Sequence, residues 1–454
     1  MTDKLEVLRS SVLVLAEGKK YTTLRDILVT MKPADIALLF DEEMPEEVVP
    51  LLFRLLPKDL AADTFVEMDA DSQHTLIKGF SDRELKEVVD ELYVDDAVDL
   101  IEEMPAMIVK RILQQADAEK RRMINGILKF PDDSAGSIMT TEFVDLLPHM
   151  TAQDAILNIR RSGIEKETIN NCYITEKDRK LIGVVTIRAL IMAEPQTTME
   201  EIMEDHVISV STLEDQESVA HQFSKYNLIA MPVVDQEDRL VGIVTVDDVL
   251  DVMEEETTED MEKMAAIVPT DSSKPYLKLS IFEIWKSRIP WLLLLMISAT
   301  FTGMIITSFE GALAKYVILT AYIPMLMDTG GNSGSQASVT VIRGISLKEI
   351  DFGDILLVIW KEMRVALCCG VTLAAANFAK LMLLDHLTWL VALTICLTLL
   401  VTIFCAKFVG CTLPLIAYKL GFDPAVMASP FITTIVDAIS LLVYFQFAVR
   451  LLGL

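Results

Sequence analysis

Histidine and cysteine are scarce in this chain, with five and six residues in 454. The histidines, at 74, 149, 206, 221 and 386, form no HExxH, and no nucleophile–base pair is visible, so an enzyme is not expected. The cysteines, at 172, 368, 369, 396, 405 and 411, include no CxxC, and five lie in the apolar C-terminal region, where Cys is a small packing residue. Neither a zinc site nor a disulfide framework is expected. The Gly-Lys-Ser/Thr of a phosphate loop is missing. The N-terminus, MTDKLEVLRSSVLVLAEG, lacks the apolar core and cleavage site of a signal peptide, so the N-terminal half is expected to stay in the cytosol. Positive charge is short as well: 40 Lys and Arg face 67 Asp and Glu, a net charge of −27. Nucleic-acid binding, which needs a basic surface, is excluded.

The shortage of positive charge is local. From Tyr276 onward 12 basic residues face 10 acidic ones, whereas the first 275 residues hold 28 against 57, a net of −29. A solvated acidic surface is the ordinary cause of such a composition, but this excess lies wholly outside the hydrophobic part and would attract cations. Its densest stretch, VDDVLDVMEEETTEDME from Val246 to Glu262, has nine carboxylates and no base before Lys263. Asp248, Asp251, Glu255, Glu259 and Glu262 follow at spacings of 3, 4, 4 and 3 and share one helix face. Like charges so placed cost roughly 0.2–0.5 kcal/mol per pair. Divalent cations bridging them would reverse the sign, which makes the stretch a sensor candidate; the alternative is a solvated acidic linker helix.

The length suits three or so domains. From about residue 20 to 129 the pattern is helical and repeats: apolar residues recur every twelve positions at Met44, Leu56, Met68, Phe80, Leu92 and Met104. Most are followed by a helix-start residue (Pro45, Pro57, Asp69, Ser81, Pro105), the mark of a solenoid of short helices. After Phe130-Pro131 two segments match. One has Ser137-Ile138-Met139-Thr140, Cys172-Tyr173-Ile174 and Leu181-Ile-Gly-Val-Val-Thr186. The other has Glu201-Ile202-Met203, Met231-Pro232-Val233-Val234 and Leu240-Val-Gly-Ile-Val-Thr245. The Ile-Met anchors are 64 residues apart and the glycines 59, so the first copy is five residues longer. Each copy resembles a CBS domain. The second has the nucleotide pattern Gly242, Thr245, Asp248, where that family places ribose hydroxyls, but the first has Ala189 in place of the acid. At most one adenine-nucleotide site, at Thr245 and Asp248, is expected.

From Trp291 the composition is membrane-like, with five stretches near the 20 apolar residues a span needs: Ile289–Phe309, Ala312–Asp328, Ile355–Lys380, His386–Leu413 and Pro424–Leu452. Lys278, Lys286, Arg288, Arg343, Lys348 and Lys419 flank one side, and only Lys315 and Lys380 the other. That bias places the N-terminus in the cytoplasm and, after five spans, the C-terminus outside. Five helices are too few to enclose a wide pore, which favours a homodimer with the pathway at its interface.

Within these spans, Pro324 with Gly330, Gly331 and Gly334 suggests an interrupted helix lining a watery cavity, with Asn332 and Gln336 supplying amide oxygens; the alternative is a cytosolic hairpin. Asp437 is the one acid of the fifth span, with no Lys or Arg in the neighbouring apolar stretch, and Thr433 and Thr434 lie one turn earlier. An ionisable group in a membrane is a functional candidate, the alternatives being a salt bridge to another span or a deep cap. Carboxylate, amide, hydroxyl and carbonyl oxygens suit a largely hydrated Mg2+. Other hydrated divalents, Mn2+ and Co2+ among them, fit the same donors.

The order of these parts resembles the MgtE family of Mg2+ channels. The matching motifs are Ser134-Ala-Gly-Ser-Ile-Met139, Gly330-Gly-Asn-Ser-Gly-Ser-Gln336, Gly421-Phe-Asp-Pro424 and Thr434-Ile-Val-Asp437. The resemblance implies a multidomain fold: an all-α superhelical N-terminal domain (1–129), tandem α/β CBS domains (130–200 and 201–250), an acidic plug helix (251–275) and a five-helix α transmembrane domain (276–454). It implies a homodimer in the lipid of the plasma membrane, a central pore with Asp437 coordinating Mg2+, and closure by cytosolic Mg2+. Carried over by position, the sensor acids would be Asp95 and Asp99 in the helical domain, Glu217, Asp248 and Asp251 in the CBS pair, and Glu256 and Glu259 in the plug. Asp423 would face the plug from the membrane domain. Asn227, where relatives can have an acid, and Ser440, where they often have glycine, depart from the pattern. Chloride channels carry their CBS pair after the membrane domain, whereas here it comes first; a cyclin-M-like divalent transporter is the other rival.

Overall fold

The computed structural model describes residues 2–163, 166–270, 276–427 and 429–453. The chain forms two compact units that divide after Glu254.

In the first unit the twelve-residue period is literal. Helices Ala70–Gly79, Asp82–Glu91, Val94–Glu103, Ala106–Gln115 and Ala118–Ile127 start twelve residues apart and are ten residues long. The ladder residues Phe80, Leu92 and Met104 end a helix, turn the backbone to extended values (ψ 143°, 149° and 144°) and are buried. The residue after each takes the N-cap position of the next helix, and at several steps of the repeat its side chain caps it. Asp69, Ser81 and Asp117 accept N–H bonds from the first turn, and Ser81 and Glu84 close a capping box. Pro105 takes the same place without needing a donor.

Two three-stranded sheets follow: β1 (Val144–Leu146), β2 (Asn171–Thr175) and β3 (Leu181–Thr186), then β4 (Val210–Ser211), β5 (Ala230–Val234) and β6 (Leu240–Thr245). In each, the first strand is parallel to the second and the third antiparallel to it. The repeats exchange their anchors. Met139 presses on Gly242 and Met203 on Gly183, where an added Cβ would lie 2.6 and 2.5 Å from sulfur. Bridges between Thr140 and Ile243 and between Val184 and Glu204 fix the exchange. The extra residues of the first copy lie between its helix Ala152–Ser162 and β2, at 163–170 against 227–229 in the second. The acidic run forms one helix, Val246–Met264; residues 271–275 of the expected connecting segment lie outside the described residues.

In the second unit four helices among the described residues are long and apolar enough to cross a membrane: Ile281–Ser308, Phe352–Leu383, Trp389–Lys419 and Pro424–Leu452. Trp389–Lys419 is central, with 56% of its most apolar stretch buried against none in Ile281–Ser308. The expected second span at Ala312–Asp328 is corrected. That stretch is a short helix, Glu310–Lys315, a 3-10 turn, Val317–Tyr322, and then the start of a helix Ile323–Ser346. The expected interruption at the glycines is corrected too, because this helix runs through them unbroken. Pro324 sits in its first turn, where no N–H is needed. The glycines serve close approach instead. A Cβ on Gly330 would meet Thr402 and Val436, one on Gly331 Thr433, one on Gly334 Ile432 and the Ala406 carbonyl, and one on Gly410 the Gly334 backbone.

Candidate cation sites

In the membrane unit the helix Ile323–Ser346 has two faces. Gly330, Gly331, Gly334, Ala337 and Ser338 are buried, while Asp328, Asn332, Gln336 and Thr340, four residues apart, are exposed. Asp437 is half-buried on the helix Ser429–Leu452 and feels the charge of Asp328. The packing of Gly331 on Thr433 puts Asn332 near the level of the two threonines. Thr433 and Thr434 both donate to the Pro430 carbonyl (2.9 and 3.0 Å), leaving their oxygen lone pairs as acceptors. Among the described residues neither Asp328 nor Asp437 has a hydrogen-bond or ion-pair partner. The buried lysine of the bundle, Lys407, is held by Glu362 at 3.4 Å, with side chains 5% and 14% exposed. That pair escaped the sequence reading, although both charges lie inside apolar stretches. Ser440, doubtful as a glycine replacement, fits: it is buried and donates to the Val436 carbonyl at 2.6 Å.

The C-terminal end of the acidic helix is anchored within the same unit. Lys263 bridges Glu259 (2.7 Å) and Asp423 (2.6 Å), and the other Asp423 oxygen accepts the Ala425 N–H (2.8 Å). Met264 packs with Ile342 and Ala425, and the Val268 N–H donates to the Ser287 carbonyl of the first span. Asp423 is thus held by the one base that closes the acidic run. Glu256 is half-buried on the same helix.

In the first unit Asp95 and Asp99 lie one turn apart on the helix Val94–Glu103. Its first N–H, from Val94, donates to Glu142 Oε2 (3.3 Å), which also accepts the Thr140 hydroxyl (2.7 Å). The Glu142 carbonyl accepts the Glu167 N–H (2.9 Å), which brings a second glutamate beside them. Asp95 is only 6% exposed. Burial, then the charges of Asp248, Asp96 and Glu167, raise its carboxyl well above the usual range. Burial likewise pushes Asp96 up to about 6, Asp248 to about 7 and Glu167 to about 8, each with help from neighbouring acids. Asp99 meets solvent with part of its surface, yet the crowding around its carboxyl, then Asp248, push it up to about 8. Glu167 Oε2 is buried and has no partner among the described residues. The nearby Lys120 is engaged by the carbonyls of Val89, Asp90 and Leu92. So many carboxylates in so little water need protons or cations to be stable. No group of three or more ligand side chains poised for a metal is present among the described residues.

Asp251 belongs to a second acidic group. Both Asp251 and Glu67 are exposed residues, yet shielding of part of each carboxyl raises them, with Glu254 and Asp247 adding to Asp251, and Asp251 to Glu67. Glu217 opens the helix Gln216–Tyr226, with its carboxylate 3.5 Å from His221 Nε2. Asn227 ends that helix in the left-handed region (φ 52°), which Asn tolerates better than most side chains. Thr245 donates to Asp248 (2.6 Å), so the two residues of the nucleotide pattern are linked, whereas in the first repeat Thr186 caps a helix at Ala189. Asp96, Glu142, Glu167, Glu67 and Asp328 were missed. Asp328 had a signal in its spacing of four from Asn332; Glu142 and Glu167 had none, since only folding brings them to Asp95.

Three family models match along the chain. Residues 31–133 match the MgtE intracellular N domain, 135–195 and 199–255 match the CBS domain, and 323–447 match MgtE, described as a divalent cation transporter. The chain is 35% identical to the magnesium transporter MgtE of Thermus thermophilus, covering 100% of this chain and 99% of that one. It is 31% identical to the magnesium transporter MgtE of Bacillus subtilis over 96% of each. Among solved structures, the cytosolic domain of the Mg2+ channel MgtE in complex with ATP matches with a TM-score of 0.51 and 34% identity, over 54% of this chain and 99% of that one.

Proposed function

Since this chain belongs to the MgtE family of divalent cation transporters, we propose that it carries Mg2+ across the membrane through a pathway lined by Asp437, and that cytosolic Mg2+ closes it. The observation that carries the pathway is Asp437 itself, a half-buried carboxylate among apolar helices with no base beside it. An unneutralised acid there is costly unless water and a cation reach it. Thr433, Thr434 and Asn332 supply neutral oxygens to an ion that keeps much of its water. One chain does not surround an ion, so the reading includes a homodimer with a shared pore, cytoplasmic N-terminal domains and, with the 24-residue helix Ile323–Ser346 packed in the bundle as the fifth span, the C-terminus outside. The donors by themselves suit Mn2+ and Co2+ as well; the full-length relatives named as magnesium transporters favour Mg2+.

The sensor reading rests on the crowded acids. Asp95, Asp99 and Asp248 repel one another when ionised, and Mg2+ bound among them would favour the compact arrangement. Asp251, Glu217, Glu256 and Glu259 extend the acidic surface, and Asp423 with Lys263 ties the helix end to the membrane unit. A ligand that binds one arrangement better shifts the population toward it, which closes the pathway as cytosolic Mg2+ rises. An adenine nucleotide at Thr245 and Asp248 is part of the reading, supported by the ATP complex of the relative's cytosolic domain. The deciding experiment is Mg2+ uptake by Asp437→Ala in proteoliposomes, with dimer assembly checked by size. Loss of uptake by an intact dimer is expected; normal uptake would sink the pore assignment.

A further inference from the structure

We propose that Asp328 is a second ion-facing carboxylate of the pathway, so that each chain contributes two acids, Asp328 and Asp437, to a site that a second copy completes. The proposal rests on the pore reading of Asp437 given above. The helix register carries it. Gly330 packs on Val436, Gly331 on Thr433 and Gly334 on Ile432, so residue number rises along one helix as it falls along the other. Two residues before Gly330 therefore lies level with the residue after Val436: Asp328 stands beside Asp437. The charge of Asp328 acting on Asp437 agrees with that register.

Asp328 is also on the right face. It begins the exposed row Asn332, Gln336, Thr340 at intervals of four, at the edge of the helix next to Gly331, which packs on Thr433. A carboxylate turned to lipid at this depth is strongly disfavoured, so the row must face water or a partner copy. A structural salt bridge does not account for it. Among the described residues Lys407 pairs with Glu362 and Lys380 with Asp385, and Asp328 has no basic partner. Two acids at one level repel unless a cation lies between them. Two such levels follow: carboxylates at Asp328 and Asp437, then neutral oxygens at Asn332, Thr433 and Thr434. The charged level would set how tightly the divalent ion is held, and the neutral level how much water it keeps.

The test is the Mg2+ concentration dependence of uptake by full-length protein in proteoliposomes, for wild type, Asp328→Asn, Asp328→Glu and Asp437→Asn. Asp328→Asn should raise the half-saturating Mg2+ concentration about tenfold, as loss of one nearby charge does in a partly screened site, and Asp328→Glu should restore it. An unchanged half-saturation in Asp328→Asn, with uptake abolished in Asp437→Asn, overturns the proposal and leaves the pore reading standing. Normal uptake in Asp437→Asn removes the pore reading, and the proposal with it. Equal loss of flux in the Asn and Glu variants, with half-saturation unchanged in the residual flux, marks a packing role and also overturns it. Should Asp328→Asn fail to assemble, Asp328→Ser, smaller and also neutral, carries the same comparison.

Discussion

Carboxylates are used in opposite ways by the two units. In the first, at least six crowd around the start of the helix Val94–Glu103, and burial, with help from neighbouring acids, pushes most of them above the usual carboxylate range. In the second, Asp437 stands with Asp328 alone, among amides and hydroxyls. Crowding makes a site whose shape depends on whether a cation is present, which suits measurement. Sparse charge makes a site that attracts an ion and lets it leave, which suits passage.

The comparison breaks most sharply at the sparse site. With so few carboxylates there, Asp437→Ala should abolish Mg2+ uptake, read as flux into proteoliposomes. At the crowded site charge is shared, so single changes should do less. Asp95→Asn, Asp99→Asn and Asp248→Asn combined should raise the Mg2+ needed to close the channel by about tenfold or more, read in patch recordings; normal closure would reject the sensor. Helix packing around the membrane site comes next. Gly334→Val should cost roughly 1–3 kcal/mol by overpacking against Ala406 and Ile432, seen as a lower melting temperature in detergent.

A pH series separates the two sites without mutation. An acid raised in the folded state binds its proton more tightly there than in the unfolded chain. Its contribution is therefore greatest at acid pH and is lost as pH rises from the ordinary carboxylate range through the folded value. Asp96, Asp248, Asp99 and Glu167, at about 6, 7, 8 and 8, place that loss between roughly pH 4 and 8. Without Mg2+, protease resistance of the first unit in the full-length protein should fall across this window. Mg2+ should restore most of it at the alkaline end, and equal protection at both ends would contradict the crowded-site reading. The smallest effect is a control away from both sites: Ser81→Ala removes a helix cap and should cost about 1 kcal/mol with closure by Mg2+ unchanged.

Much of this was legible beforehand, and the reasons differ by element. The twelve-residue ladder from Met68 to Met104 could be read because each helix and its cap are local, so the period in sequence is the period in space. The paired Gly-h-h-Thr motifs around Gly183 and Gly242 were legible for the same reason. Their exchanged anchors were not, since Met139 and Gly242 are 103 residues apart. The helix through Gly330, Gly331 and Gly334 was misread because glycine both breaks helices and lets them approach, and only the Thr402, Ile432 and Val436 side chains packed against it decide which.

By itself the sequence determined the kind of protein: an acidic helical and CBS half, an apolar half, and one conspicuous carboxylate at Asp437. Those properties rest on composition and short-range period, which no folding step can alter. The tertiary structure decided which acids lie near one another. Asp95 gained Glu142 and Glu167, Asp437 gained Asp328, and Asp423 gained Lys263, each from a distant part of the chain. Charge–charge energy depends on distance and on surrounding water, and folding sets both.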